Sequence, residues 1–178
     1  MRRMTPEYSI WLLACEAQEA LLAGTMVRLS AQLGGIAFAP HVTIQGDIGA
    51  PLEDLKSTLQ TVAATVAVQN WRVQAVEHTA HFFRYLYLRF ADEPVFGALQ
   101  TAVQRFTQTA HGLSPFPHLS LAYGQAQPDT EPARATLASE FTAQVLVFDR
   151  LAIARSARDV PISEWSCIAQ YPLTGSDT

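Results

Sequence analysis

Two short segments of the chain nearly repeat each other, at residues 40–44 and 117–121. Each reads proline, histidine, an aliphatic residue, a threonine or serine, and a second aliphatic residue. In an extended strand, alternate side chains point to opposite faces, so His41 and Thr43 share one face. His118 and Ser120 share the corresponding face of the second segment. If the two strands lie side by side, two imidazoles and two hydroxyls meet in one groove.

That set of side chains suits acid–base chemistry at a phosphate. A histidine titrates near neutrality and can give or take a proton. Hydrolysis of a cyclic phosphodiester needs one group to deprotonate the attacking water and another to protonate the leaving ribose oxygen. Thr43 and Ser120 would donate hydrogen bonds to the phosphate oxygens, whose charge increases in the transition state. Zinc prefers three or four His, Cys or carboxylate ligands, so we expect neither a metal nor another cofactor.

A structural interpretation competes with this one. A lone histidine in a strand is more often a satisfied surface or core residue than a catalytic group. Two near-identical copies in matching places of the chain favour function for His41 and His118. The other three histidines, His78, His81 and His111, belong to no such pattern, and we expect them to be structural.

Composition narrows the class of protein. The chain has 178 residues, of which 49% are hydrophobic and 16% charged, as in a folded globular protein. Its net charge of −4 disfavours binding of a long nucleic acid through phosphate contacts. No apolar run approaches the ~20 residues that a membrane-spanning helix needs. Cys15 and Cys167 form no CxxC pair, which is typical of the reducing cytoplasm, where we expect the protein.

Helices and strands alternate around the two motifs. Strands are predicted over residues 8–14, 36–45, 68–80, 82–90, 117–121, 141–154 and 165–172. Helices are predicted over residues 16–33, 51–66, 94–110 and 129–140. Each half reads as a strand, a helix, a motif strand, a helix and further strands, which indicates a duplicated unit. A hairpin near residues 77–81 indicates antiparallel pairing. We therefore predict an α+β fold, a single bilobal domain over residues 1–178, with two antiparallel sheets, outer helices and a central groove that carries both motifs.

The paired motifs resemble those of the 2H phosphoesterase superfamily, in which two His-x-Thr/Ser motifs are followed by aliphatic residues. Segments 8–12, 38–43, 117–123 and 164–165 resemble the plant and yeast cyclic phosphodiesterase branch. This resemblance implies a bilobal fold with a pseudo-two-fold axis. It also implies hydrolysis of ADP-ribose 1″,2″-cyclic phosphate, a by-product of tRNA splicing, to ADP-ribose 1″-phosphate. A further implied activity is the hydrolysis of nucleoside 2′,3′-cyclic phosphates to 2′-phosphates.

The resemblance also implies roles for individual residues. His41 and His118 would be catalytic, with His118 as the base that activates water and His41 as the acid toward the leaving oxygen. Thr43 and Ser120 would bind the phosphate, and Tyr123 would line the site.

Two further aromatic residues are candidates for the rim of the groove. Phe83 and Trp165 could each stack on a base, although core packing is an equal alternative for both. Arg84 and Arg89 lie five residues apart on a predicted strand, so we expect them on opposite faces.

Three functions are compatible with these observations. The first is metal-independent hydrolysis of small cyclic nucleotides by a monomer whose partner is the small-molecule substrate. The second is the RNA-end branch of the same superfamily, acting on 2′,3′-cyclic phosphate termini or 2′–5′ linkages. The third is a non-catalytic nucleotide sensor. The short chain and its low positive charge favour a small substrate.

Overall fold

The structure is a computed structural model that describes residues 7–176. Residues 1–6 and 177–178, which the predicted domain also includes, lie outside that range. Its strands are β1 (Tyr8–Ala14), β2 (Val42–Ile48), β3 (Gln69–His78), β4 (Leu86–Phe90), β5 (His118–Ala122), β6 (Val145–Arg155) and β7 (Ser166–Pro172). Its helices are α1 (Glu16–Leu33), α2 (Leu52–Ala63), α3 (Pro94–Thr107) and α4 (Thr130–Phe141).

Local sequence explains where the helices begin and end. Helix α3 begins at Pro94, whose fixed φ suits the first helical turn and whose missing N–H is not needed there. Helix α1 is followed by Gly34 at φ 78°, a left-handed conformation that glycine adopts without steric cost. In α2 the buried residues Leu55 and Leu59 are four apart, so one face of the helix packs on the sheet. No helix within residues 7–176 is long and apolar enough to cross a membrane.

The strands form one antiparallel sheet in the order β1-β2-β5-β4-β3-β6-β7. Strand β1 also pairs with β6, so the first six strands of that order close into a barrel-like ring. The predicted α+β class with antiparallel strands and outer helices is confirmed. The two expected sheets, however, are continuous with each other. Strand β6 has 11 residues, enough to pair with β3 through its first part and with β1 and β7 through the rest.

On the other side of the ring, the two halves meet at the motifs. Strands β2 and β5 pair through Val42 and Leu119, both with 0% exposure in the main core. An antiparallel register through this pair sets His41 beside Ser120 and Thr43 beside His118. These four side chains point away from the core, because they alternate with the two core residues. The fold therefore joins its halves where the chemistry was predicted.

Two apolar clusters lie on opposite faces of the sheet. The main core lies between the sheet and the helices and includes Trp71, whose ring centroid lies 5.0 Å from that of Phe148 and 5.7 Å from that of Phe90. A smaller cluster contains Trp11, Leu13, Ala152 and Ala154, with Trp165 packed against it. Within this smaller cluster, Trp11 and Trp165 line the groove at the motif strands.

The strand predicted over residues 82–90 is shorter than expected. It is preceded by a 3₁₀ turn at Phe82–Arg84, and β4 begins only at Leu86. Hydrogen bonds within the turn explain this, because the Arg84 N–H donates to His81 O at 2.9 Å and the Thr79 hydroxyl donates to Arg84 O at 2.5 Å. These bonds curl the backbone before it joins the sheet.

Candidate active site

A cavity of about 340 Å³ lies over the junction of the two motif strands. All seven site residues predicted from the sequence line it. They are His41, Thr43, Phe83, His118, Ser120, Tyr123 and Trp165. The fold thus brings side chains from both halves of the chain around a single space.

Both motif histidines are held in the same way. The Nδ1 atom of His41 lies 2.7 Å from Ala39 O, and that of His118 lies 2.9 Å from Phe116 O. A carbonyl oxygen only accepts hydrogen bonds, so each Nδ1 carries the hydrogen and each neutral ring has an unprotonated Nε2. In both cases the carbonyl belongs to the residue two positions earlier, across a proline with a fixed φ. The repeated Pro-His pair therefore sets the tautomer of both rings.

Burial makes both histidines weak bases. His41 is 4% exposed and His118 is 8% exposed. Desolvation lowers the pKa of His41 to about 4, against its backbone hydrogen bond and with a smaller contribution from His118. Desolvation likewise lowers the pKa of His118 to about 4, against its backbone hydrogen bond and with smaller contributions from Arg84 and Arg89. At neutral pH both rings are uncharged, and an anion in the cavity would favour their protonation.

The two motif hydroxyls differ in their surroundings. Ser120 donates to Phe83 O at 3.0 Å, so its hydroxyl must turn to reach a phosphate. The Thr43 hydroxyl has no hydrogen-bond partner among residues 7–176 and lines the cavity. Burial raises the pKa of Tyr123, against a hydrogen bond with Ser120, and therefore keeps the phenol protonated. All three groups can act as neutral donors.

Sequence reasoning missed Trp11 as a site residue. Its ring is stacked on His41, with centroids 3.8 Å apart and planes inclined by 10°, and it lines the cavity. Strand pairing of Trp11 with Thr43 sets the indole beside the first motif. Strand alternation shows that Trp11 faces away from its neighbours Ile10 and Leu12. It does not show which distant residue Trp11 would contact.

Aromatic rings form one wall of the cavity. Tyr123 is stacked on Phe38 at 3.8 Å between centroids, and Phe83 meets the edge of Tyr123 at 5.2 Å. Trp165 is fixed by its Nε1–H, which donates to Val160 O at 2.9 Å. A planar base could bind against this wall.

Several basic residues also line the cavity. They include Arg84, Arg158, His81 and His111. The prediction that Arg84 and Arg89 share one strand is wrong, because Arg84 lies in the 3₁₀ turn and Arg89 in β4. Their guanidinium carbons lie 5.7 Å and 4.3 Å from the ring centre of Phe116, but Arg84 lines the cavity and Arg89 does not. His81 and His111, expected to be structural, line the cavity as well; His81 lies just before the 3₁₀ turn, and His111 lies in the turn that precedes Leu113.

The loop at residues 108–117 forms another wall and connects the two motifs. Gln45 in β2, which is fully buried, donates to Thr109 O at 3.1 Å and to His111 O at 2.7 Å. Gln100 donates to Ile44 O at 3.2 Å and to Ser114 O at 2.7 Å. A Cβ at Gly112, which has φ +76°, would collide with the carbonyl of Gly46. The loop can therefore approach β2 closely just before it leads into His118.

No cluster of three or more His, Cys, Asp or Glu side chains suited to a metal ion occurs within residues 7–176. The Nδ1 atoms of His41 and His118 are already hydrogen-bonded to the carbonyl oxygens of Ala39 and Phe116. What the arrangement offers is two Nε2 atoms and neutral hydroxyl donors around one cavity.

Comparison with protein families gives one match. A family model described as "2′-5′ RNA ligase superfamily" matches residues 27–160, a span that contains both motifs. No curated protein sequence matches the chain significantly.

Solved structures share the fold. TT0787 of Thermus thermophilus superposes with a TM-score of 0.65 at 14% identity, covering 96% of this chain and 100% of that chain. Escherichia coli LigT in its apo form gives 0.59 at 12% identity, over 96% and 99% of the two chains. Kluyveromyces marxianus Usb1 gives 0.51 at 14% identity, over 95% and 99%.

Proposed function

Since the chain belongs to the 2′-5′ RNA ligase superfamily, we propose that it is a metal-independent phosphodiesterase that hydrolyses small cyclic nucleotides with two histidines. The substrates proposed are ADP-ribose 1″,2″-cyclic phosphate, giving ADP-ribose 1″-phosphate, and nucleoside 2′,3′-cyclic phosphates, giving 2′-phosphates. One observation carries this proposal: His41 and His118 both line one cavity as Nδ1–H tautomers, each with an unprotonated Nε2.

In the proposed reaction, the cyclic phosphate lies between the motif strands, with Thr43 and Ser120 donating to its oxygens. His118 Nε2 takes a proton from a water molecule as the water oxygen bonds to phosphorus. The bond from phosphorus to the ribose O3′ breaks, and protonated His41 gives its Nε2 proton to that oxygen. For the ADP-ribose substrate the oxygen released is O2″. The acid and the base thus act on opposite sides of the phosphorus.

The remaining site residues have supporting roles in this proposal. Tyr123, Phe83 and Trp165 would hold the base or the second nucleoside of the substrate against the aromatic wall. Crystal structures of E. coli LigT complexed with 3′-AMP, ATP and NADP⁺ show that a protein of this fold binds small nucleotides. We propose the same class of partner here, for an enzyme that acts as a monomer in the cytoplasm.

The test separates the roles of the two histidines. His41→Ala and His118→Ala should each lower kcat by roughly 10²- to 10⁴-fold, the usual contribution of an acid or a base. A phosphorothiolate substrate, whose leaving group needs little protonation, should restore the activity of His41→Ala and not that of His118→Ala. Restoration of His118→Ala alone would exchange the two assignments. Restoration of neither would reject the acid–base pair, provided that circular dichroism shows both variants folded.

A second candidate is the hydrolysis of RNA ends or 2′–5′ linkages, which the description of the matched family favours. Adenosine 2′,3′-cyclic phosphate and an oligonucleotide with a 2′,3′-cyclic end distinguish the two. A kcat/KM at least tenfold higher for the oligonucleotide would favour the RNA substrate. Turnover of neither would leave the nucleotide sensor as the function.

A further inference from the structure

Resting on the proposed function, we propose that Arg84 and Arg158 bind a second phosphate of the substrate, one that does not react. The chemical group in question is a phosphate on the 5′ carbon of the ribose whose cyclic phosphate is opened. ADP-ribose 1″,2″-cyclic phosphate and the last residue of an RNA chain with a 2′,3′-cyclic end both carry such a group. A nucleoside 2′,3′-cyclic phosphate does not.

The two arginines approach the cavity from different elements. Arg84 ends the 3₁₀ turn before β4, and Arg158 lies in the loop after β6. Both line the cavity, together with His81. The pKa of His81 is lowered, first by burial and then by the charges of Arg84 and Arg158, which indicates that both guanidinium groups lie near this ring. Both arginines therefore line the same cavity, near the same histidine.

Charge in the cavity is opposite to that of the whole chain. The chain carries a net charge of −4. The residues that line the cavity include two arginines, Arg84 and Arg158, and one carboxylate, that of Asp47. A phosphate would complement this excess of positive charge, and the forked donors of arginine match its oxygens.

Neither guanidinium group is held firmly by the protein. Arg84 has no carboxylate within salt-bridge distance in the described range 7–176, and its guanidinium carbon lies 5.7 Å from the ring centre of Phe116. Arg158 is anchored by its main chain, since its N–H donates to Asp47 Oδ1 at 2.7 Å. Its Nη2, in contrast, lies 3.9 Å from Asp47 Oδ2, a distance too long for a strong hydrogen bond. Both side chains can bind an anion without breaking a close ion pair.

The phosphate that reacts has other partners. His41, Thr43, His118 and Ser120 surround its place between the motif strands. The arginines belong to segments outside those strands but line the same cavity, which would allow a substrate with a second phosphate to contact both sets of residues. The structure thus predicts that the enzyme prefers substrates with a second phosphate, a group that the reaction leaves unchanged.

Arg89 supplies a matched control. Its guanidinium carbon lies 4.3 Å from the centre of the same Phe116 ring, and its Nη1 lies 3.5 Å from Glu77 Oε2. It contributes, like Arg84, to lowering the pKa of His118. Arg89 is not among the residues that line the cavity. Arg89→Gln therefore removes a charge near His118 without removing a donor from the cavity.

The kinetic test compares adenosine 2′,3′-cyclic phosphate with the same compound bearing a 5′-phosphate. In the unsubstituted enzyme, kcat/KM should be about 10- to 100-fold higher for the 5′-phosphorylated substrate, the range expected for charge-assisted hydrogen bonds. Arg84→Gln should reduce that ratio about tenfold. Arg158→Gln should reduce it about threefold, because 71% of its side chain is exposed and solvent screens the charge. Arg89→Gln should leave the ratio unchanged.

Two further substrates identify the source of the second phosphate. ADP-ribose 1″,2″-cyclic phosphate carries it in a pyrophosphate, and a dinucleotide with a 2′,3′-cyclic end carries it in a phosphodiester. The substrate whose kcat/KM falls more in Arg84→Gln is the one whose second phosphate depends more on Arg84. Equal losses by Arg84→Gln on the substrates with and without a 5′-phosphate would show that Arg84 serves the reacting phosphate, and would overturn the proposal.

A binding measurement separates this inference from the proposed function. Isothermal titration calorimetry should show adenosine 2′,5′-bisphosphate binding at least tenfold more tightly than adenosine 2′-phosphate, and less so in Arg84→Gln. Tighter binding without turnover of any cyclic phosphate would refute the proposed hydrolysis and keep the second phosphate site. Equal binding of the two compounds would refute the second site, even if hydrolysis is observed.

Discussion

An anion in the cavity should cause one of the two buried histidines to become protonated at neutral pH. Burial lowers the pKa of both His41 and His118 to about 4, so about one molecule in a thousand carries a given ring protonated at pH 7. A negative charge about 4 Å from an imidazolium stabilises it by about 4 kcal/mol at an effective dielectric constant of about 20. That energy raises the pKa by about 3 units and brings the protonated fraction at pH 7 to roughly a half. The substrate would therefore supply the condition under which the acid can act.

Nuclear magnetic resonance of the imidazole ¹⁵N atoms tests this directly. Without ligand, both rings should remain neutral Nδ1–H tautomers down to about pH 5. With saturating sulfate, whose charge is constant above pH 3, one of the two should titrate at a clearly higher pH. Kinetics give a second measurement, since the alkaline limb of the pH profile should lie at higher pH in kcat than in kcat/KM. Ordinary titration of either ring near pH 6.5 in the free protein would refute the argument from burial, and no response to sulfate would refute the argument from charge.

Four further outcomes are expected. Unfolding restores the ordinary pKa of His41 and His118, so the free energy of unfolding should fall as the pH drops from 6.5 to 4, by up to about 3 kcal/mol for each ring. Urea titrations should therefore show a weaker pH dependence of this free energy in His118→Gln. Thr43→Ala and Ser120→Ala should each lower kcat by about 10- to 1,000-fold, whereas Thr43→Ser and Ser120→Thr should keep most of it; equal losses would indicate packing instead of hydrogen bonding. Trp11→Leu should raise the pKa of His41 by admitting water to the ring, as its ¹⁵N titration would show, and an unchanged titration would mean that the stacked indole contributes no desolvation. Activity should persist in excess EDTA, and its loss with recovery on adding a divalent ion would contradict the two-histidine mechanism.

The sequence predicts well how the side chains of the two motifs are arranged, because that arrangement depends on residues close together in the chain. Strand alternation alone places His41 with Thr43 and His118 with Ser120, and two similar segments in similar contexts indicate that they meet. The prolines that precede both histidines are also visible in the sequence. Their effect on the tautomer depends only on a carbonyl two residues away, so it follows once the backbone is extended.

Other parts of the fold depend on contacts between distant residues. The stacking of Trp11 on His41 arises from the pairing of β1 with β2, whose register no local pattern specifies. Continuity of the sheet depends on β6 exchanging partners along its length, which its hydrophobic pattern does not reveal. The aromatic and aliphatic neighbours of Arg84 favour a strand. The hydrogen bonds of the turn, which include a side chain five residues earlier, outweigh that preference.

The carbonyls that orient the two histidines belong to the main chain, and this affects how the site tolerates mutation. A catalytic histidine that is oriented by an aspartate or glutamate loses its orientation when that one side chain is replaced. Here the acceptors are the peptide oxygens of Ala39 and Phe116, which every amino acid possesses. A substitution at either position changes the surroundings of the ring and keeps the acceptor itself. Each half of the site thus carries its own orienting group within three consecutive residues, so a copied segment brings a complete, correctly polarised imidazole with it.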